Sequence, residues 1–153
     1  IKILFESLTA YLIDVNLEFI PIDENNDGDN AGIKILALNA KEGMLVHVKL
    51  IAKGFNKFYC TERQILGVNM QALSKIIRSM SNNDILTIKR YNTQKDKNKL
   101  LFIIENMEKN QMFNYNLPLI DVDSDILDIS SASFQALVIM SSNDFQKVCR
   151  DMN

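Results

Sequence analysis

The sequence predicts an α+β fold in which single helices alternate with runs of short antiparallel strands. Two observations carry that prediction. Apolar residues recur three and four apart in three separate stretches, the pattern of a helix face laid on a core. Between those stretches lie short runs of β-branched and large apolar residues, bounded by polar turns. A hydrophobic share of 47% with 24% charged residues, and only two Pro and five Gly, exclude a disordered or collagen-like chain, and 153 residues suffice for a filled core.

Ile1, Leu4, Phe5, Leu8 and Leu12 keep helical spacing, so residues 1–12 are expected to form an amphipathic helix with Lys2 off its apolar stripe. Strands are expected at 15–20, 33–38, 44–51, 58–60 and 65–69, and the polar stretch 21–32 with Gly28 reads as a long hairpin connection. Gly67, near the end of a strand, reads as a turn into the next helix. That helix has Leu73, Ile76, Ile77 and Met80 on one side and Lys75 and Arg78 on the other, and Ser81-Asn82-Asn83 ends it. Strands at 85–91 and 100–105 flank a polar turn at 92–99; a further strand spans 111–117, and Pro118 stops it.

Residues 119–133 alternate acids with apolar side chains without a helical period, which predicts an extended linker touching a surface on one side. A strand at 134–140 follows. Ser141 with Asp144 three residues on gives a capping-box signal, and Phe145, Val148, Cys149 and Met152 form a third helical stripe. The order of elements restarts near 134, so the chain divides into a domain at 1–118, a linker at 119–133 and the opening of a second domain at 134–153. Because the chain starts at Ile1 rather than Met, the natural N-terminus is expected to lie upstream.

A net charge of -2 gives no overall pull towards polyanions, so any nucleic-acid role rests on where the 17 Lys and Arg stand. Each helix has basic residues off its stripe: Lys2, the pair Lys75 and Arg78, and the pair Lys147 and Arg150. Members of each pair are three apart and so neighbours on their helix. On pattern alone a solvated face is the better reading, and a stripe spaced for phosphates rather than bases is the alternative. Cys60 and Cys149 are too few and too distant for a disulfide framework, which predicts two free, buried thiols in a reducing, intracellular compartment. No apolar run reaches membrane-spanning length, and the N-terminus has no secretory pattern.

Candidates for chemistry are few. His47 is the only His and stands in a Val46-His47-Val48 strand context; neither Cys has metal-ligand spacing, and no Gly-rich loop joins a strand to a helix. No catalytic residue, metal or cofactor is therefore assigned. Asp23-Glu24-Asn25-Asn26-Asp27-Gly28 matches the first half of a calcium loop, but Lys34 stands where the closing Glu belongs, so a polar turn is the better reading. Asp121, Asp123 and Asp125 also alternate, with Ile126 in place of the required Gly.

Three segments together resemble proliferating cell nuclear antigen, the sliding-clamp family of eukaryotes, archaea and viruses. They are Gly54-Phe55 through Cys60 to Gln64-Ile65-Leu66-Gly67-Val68-Asn69-Met70 and Leu73-Ser74-Lys75-Ile76; Asn83-Asp84-Ile85-Leu86-Thr87-Ile88; and Leu119-Ile120-Asp121-Val122-Asp123 through Leu127-Asp128-Ile129 to Phe145-Gln146-Lys147-Val148-Cys149-Arg150-Asp151-Met152. The resemblance implies the clamp fold: a ring of three subunits, each of two similar domains, with helices lining a hole filled by duplex DNA. It implies a non-enzymatic processivity factor at the nucleus or a viral replication site. Lys2, Lys75, Arg78, Lys147 and Arg150 match inner-wall positions that meet DNA without sequence preference. Leu38, Leu45, Leu127 and Ile129 match a pocket beneath the linker that takes the clamp-binding motifs of DNA polymerase, clamp loader, ligase and nuclease. Tyr115, Met112 and Phe113 fall in the segment matching the edge strand that pairs with a neighbouring subunit. An opening strand and most of the second domain are expected outside the chain. The longer 21–32 connection and Asn39-Ala40-Lys41-Glu42-Gly43, where the family has Asp-Ser-Ser-His-Val, depart from the pattern beside the pocket. Alternatives are a divergent relative, such as a checkpoint-clamp subunit or a non-trimeric viral processivity factor, and a calcium-binding module using Asp23, Asn25 and Asp27.

Overall fold

The computed structural model of the chain describes residues 1–22, 30–39, 41, 43–91, 93, 96–123 and 135–152. In chain order the elements are α1 (Lys2–Leu8), β1 (Asp14–Ile20), β2 (Gly32–Asn39), β3 (Met44–Ile51), a 3-10 turn (Ala52–Gly54), β4 (Gln64–Asn69), α2 (Met70–Arg78), β5 (Ile85–Arg90), β6 (Lys99–Asn106), β7 (Gln111–Pro118) and α3 (Ser142–Asp151). The fold is α+β. Its strands form two antiparallel sheets, one in the order β3-β2-β1-β4 and the other β5-β6-β7.

Alternation along the strands decides which face meets the core. In β1 Val15 and Leu17 are buried, in β2 Ile33 and Ile35, and in β4 Leu66 and Val68, while Asn16, Glu18, Lys34 and Ile65 point the other way. In the second sheet Leu100, Phe102 and Ile104 of β6 form the inner row. Helices α1 and α2 pack on each other, and one cluster of buried side chains joins them to both sheets, from Phe5 and Leu8 through Leu73 and Ile77 to Phe102. Removing such side chains from water is the main favourable term in folding.

Helix α2 starts where Asn69 leaves β4. The Asn69 side-chain oxygen accepts from the Ala72 amide at 3.0 Å, and its Nδ2 donates to Asp14 Oδ1 at 2.7 Å, so one residue caps the helix and ties it to β1. Asn69→Ala is expected to cost about 1 kcal/mol. Urea unfolding should show a lower midpoint with the slope unchanged, and an unshifted midpoint would contradict the capping account. The Ser141 cap holds as well: its Oγ accepts from the Asp144 amide at 3.1 Å and donates to Asp144 Oδ2 at 2.7 Å.

Gly32 opens β2 at φ 137°, a conformation that side chains rarely adopt, and a Cβ there would collide with the Leu50 carbonyl of β3.

The structure corrects several sequence expectations. The first helix ends at Leu8, because Ala10 and Tyr11 bond carbonyls only three residues back, although Leu12 stays buried. Residues 58–60 are not a strand: Phe58 packs against Phe55 with ring centroids 5.7 Å apart, which holds a loop without a partner strand. The described part of the expected 134–140 strand, 135–140, is exposed and unpaired. Gly67 is not a turn but lies inside β4. The two free thiols are not both buried. Cys60 is half-buried, its Sγ donates to the Glu62 carbonyl at 3.0 Å, and burial pushes its pKa up; Cys149 is exposed because α3 buries none of its residues. The half calcium loop with Asp23, Asn25 and Asp27 lies outside the described residues.

Candidate functional site

Two surfaces gather the residues singled out by the sequence. The first is the pair α1 and α2. Leu73, Ile76 and Ile77 of α2 face the core, which leaves Lys75 and Arg78 in solvent. Lys75 makes no hydrogen bond or ion pair to another described residue, while Arg78 is 3.7 Å from Glu6 of α1, with 61% of its side chain exposed. Lys2 is differently employed. Its ammonium donates to the carbonyls of Met80 at 2.8 Å and Arg78 at 3.2 Å, where the end of α2 leaves acceptors unsatisfied and partly negative. Lys2 thus holds α1 to α2.

Lys147 and Arg150 stand exposed on α3, with Arg150 Nε donating to the Gln146 carbonyl at 3.4 Å. Lys2, Lys75 and Arg78 come together on α1 and α2; Lys147 and Arg150 form a separate pair. Exposed cations on a helix suit phosphates, since by neutralising a dense line of negative charge they release the counterions condensed on it.

The second surface is the outer face of the four-stranded sheet. Leu38 of β2 and Leu45 of β3 are directly opposed in register and remain 49% and 46% exposed. The next outward pair is Leu36 with exposed His47, and the next is Lys34 with Lys49. Leu38 and Leu45 thus form an apolar pair at one end of this face, and exposed Ile51 of β3 and Ile65 of β4 lie towards the other. Leu127 and Ile129 lie outside the described residues.

Residues 119–122 reach this face from β7. The Leu119 amide donates to the Asn98 carbonyl at 2.9 Å and the Ile120 amide to the Gly67 carbonyl at 2.9 Å; then the Val122 carbonyl accepts from Asn16 Nδ2 at 3.1 Å. Sequence reasoning missed Gly67 and Asn16. A signal was available, because a lone Gly inside a strand marks a close approach of another backbone.

On β7, Phe113, Tyr115 and Leu117 face the inner row of β6, whereas Met112 faces away. Tyr115 packs on the core; Met112 and Phe113 are 61% and 47% exposed. The strand pairs only with β6 among the described residues, so its outer edge offers unpaired backbone groups. A shallow polar depression of about 300 Å³ lies beside Asn83, Asn106 and Lys109, and its Asn106 is occupied by Asp84 Oδ1 at 2.6 Å and the Lys109 amide at 2.8 Å. No described helix is long and apolar enough to cross a membrane.

Comparison with known proteins places this arrangement. The family model for the proliferating cell nuclear antigen N-terminal domain matches residues 4–126, which takes in both sheets, α2 and most of α1. The chain belongs to this family. Among its relatives is the "Probable DNA polymerase sliding clamp 1" of Paramecium bursaria Chlorella virus 1, 35% identical over 153 residues, which are all of this chain and 54% of the viral protein. The "Proliferating cell nuclear antigen" of Chaetomium thermophilum is 32% identical over 130 residues, 85% of this chain and 49% of the fungal protein. The chain spans about half the length of the curated relatives it matches. The proliferating cell nuclear antigen fold expected from the sequence is thus the fold observed, with α1 and α2 on the core side of the four-stranded sheet and the Leu38–Leu45 pair on its other face.

Proposed function

We propose that this chain is part of a sliding-clamp subunit, a non-enzymatic factor that keeps a DNA polymerase on duplex DNA by encircling it. The observation that carries the reading is the membership of residues 4–126 in the proliferating cell nuclear antigen family, joined to the solvent-facing cations of α2. Lys75 and Arg78, with Lys147 and Arg150 of α3, supply phosphate contacts along the inner wall. Such contacts are equivalent at every register of the duplex, so the ring is retained by topology and slides without reading sequence. Lys2 serves the same wall by holding α1 against the end of α2.

Residues 1–118 form the first domain, 119–133 the linker, and 134–153 the start of a second domain. Leu38 and Leu45, with Leu127 and Ile129 of the linker, take the hydrophobic plug and aromatics of clamp-binding motifs on polymerase, clamp loader, ligase and nuclease. Their exposed paired leucines are the kind of small apolar site in which a few anchors carry most of the energy. The free edge of β7, with Met112, Phe113 and Tyr115, pairs with a neighbouring subunit to build a homotrimer in the nucleus or at a viral replication site. A mass measurement on the full-length protein tests the assembly. Three subunits are expected, whereas a stable monomer or a requirement for different partner subunits favours a divergent clamp relative.

A further inference from the structure

We propose that Gly67 and Asn16 are positioning residues that steer the segment after β7 across the outer face of the four-stranded sheet towards the Leu38–Leu45 pair. The inference rests on the docking role proposed for that pair.

Three contacts trace the route. Leu119 is held at Asn98, Ile120 at Gly67 on β4, and Val122 at Asn16 on β1, the strand next to β4. Asn16 and Gly67 are partners in the β1–β4 register and share the outward face. Strand β2, which carries Leu38, follows β1 in the sheet, and β3 with Leu45 follows β2. Residues 119–122 therefore run from the second sheet over β4 onto β1, in the direction of the leucines.

Only glycine permits the crossing at β4. A Cβ at position 67 would lie deep inside the contact distance of the Ile120 carbonyl oxygen, 3.1 Å from its carbon and 2.9 Å from Val122 Cγ2. Two of those three atoms are backbone, so no rotamer change relieves the clash. Gly67 has no positive φ, so Ala can adopt the strand conformation itself and the conflict falls on the crossing segment alone. Asn16 then fixes direction. Its amide is the side-chain donor on the next strand, and its bond to the Val122 carbonyl holds the chain over β1 instead of letting it lift into solvent.

Gly67→Ala and Asn16→Ala in the full-length protein test this, by amide hydrogen exchange and by binding of a synthetic peptide carrying an aliphatic plug and two aromatics. Exchange at the Ile120 amide should rise about tenfold in Gly67→Ala and about threefold in Asn16→Ala, as expected when a hydrogen-bonded seat of modest net strength is lost. The Leu17 and Val68 amides should hold, showing that both strands stay folded, and peptide affinity should fall several-fold in both variants. Unchanged Ile120 exchange in the two variants would overturn the proposal. So would faster exchange with full peptide affinity, because the seat would then have no bearing on docking. If Gly67→Ala fails to fold, Asn16→Ala decides alone, since it removes a side chain without adding bulk. Failure of the unsubstituted protein to bind the peptide would instead remove the docking role of Leu38 and Leu45, leaving the route of 119–122 to be judged on Ile120 exchange.

Discussion

Reversing the charges of Lys75, Arg78, Lys147 and Arg150 in the full-length protein is expected to abolish most of its salt-dependent hold on DNA and to shorten the products of a clamp-dependent polymerase. Each phosphate contact contributes a slope of roughly 0.9 in log affinity against log salt, so losing four contacts removes about two decades of affinity change between about 50 and 200 mM salt. Reversal adds repulsion to that loss. The residues are suited to carry such an effect because all four are exposed, and Lys75 has no competing partner among the described residues. Arg78 needs a control, since a carboxylate there would face Glu6 across the α1–α2 contact. Arg78→Gln keeps the side chain polar and avoids that repulsion. Processivity assays over a salt series, with urea unfolding to show intact stability, make the check; undiminished processivity with an unchanged salt slope would speak against an inner wall on α2 and α3.

Phe102→Ala should be the costliest single truncation, at about 3–5 kcal/mol. Phe102 is the largest fully buried side chain among the described residues, 1% exposed, in the middle strand of its sheet, with Ile88 and Tyr115 as its cross-strand neighbours. Removing the ring leaves a cavity that a three-stranded sheet closed over by helices cannot fill by collapse. Such a loss is a large fraction of the roughly 5–15 kcal/mol that holds a domain folded. Met112→Ala, on the solvent side of the adjacent strand at 61% exposure, should stay within about 0.5 kcal/mol in the isolated chain. Equilibrium unfolding of the two variants checks the contrast, and comparable losses in both would contradict the assignment of inner and outer rows.

Much of the fold was legible because strand period and helix stripe are local signals. Val15 and Leu17, Ile33 and Ile35, and Leu73, Ile76 and Ile77 declare their buried faces by spacing alone, and all are buried in the structure. The expected span 44–51 coincides with β3. What failed depended on partners. Residues 58–60 have strand-like composition but no neighbouring edge, and Cys149 follows an apolar stripe that α3 leaves in solvent. Position 67 belongs with these: a lone Gly inside a strand signals a close backbone approach, but its neighbour, Ile120, is 53 residues away in sequence, and nothing local tells which segment approaches. The cations of α2 were visible in the sequence as a pair. Spacing puts Lys75 and Arg78 on one face, while the separate duty of Lys2 at the α2 carbonyls needed coordinates.

The central proposal is retention on DNA by encirclement, and retention of the loaded full-length protein on nicked circular DNA compared with the same DNA cut once tests it most directly. Slow loss from the circle and rapid loss from the cut molecule are expected, since a ring sliding on interchangeable phosphate contacts runs off a free end. Equal retention on both would mean that contacts rather than topology hold the protein, and would contradict encirclement.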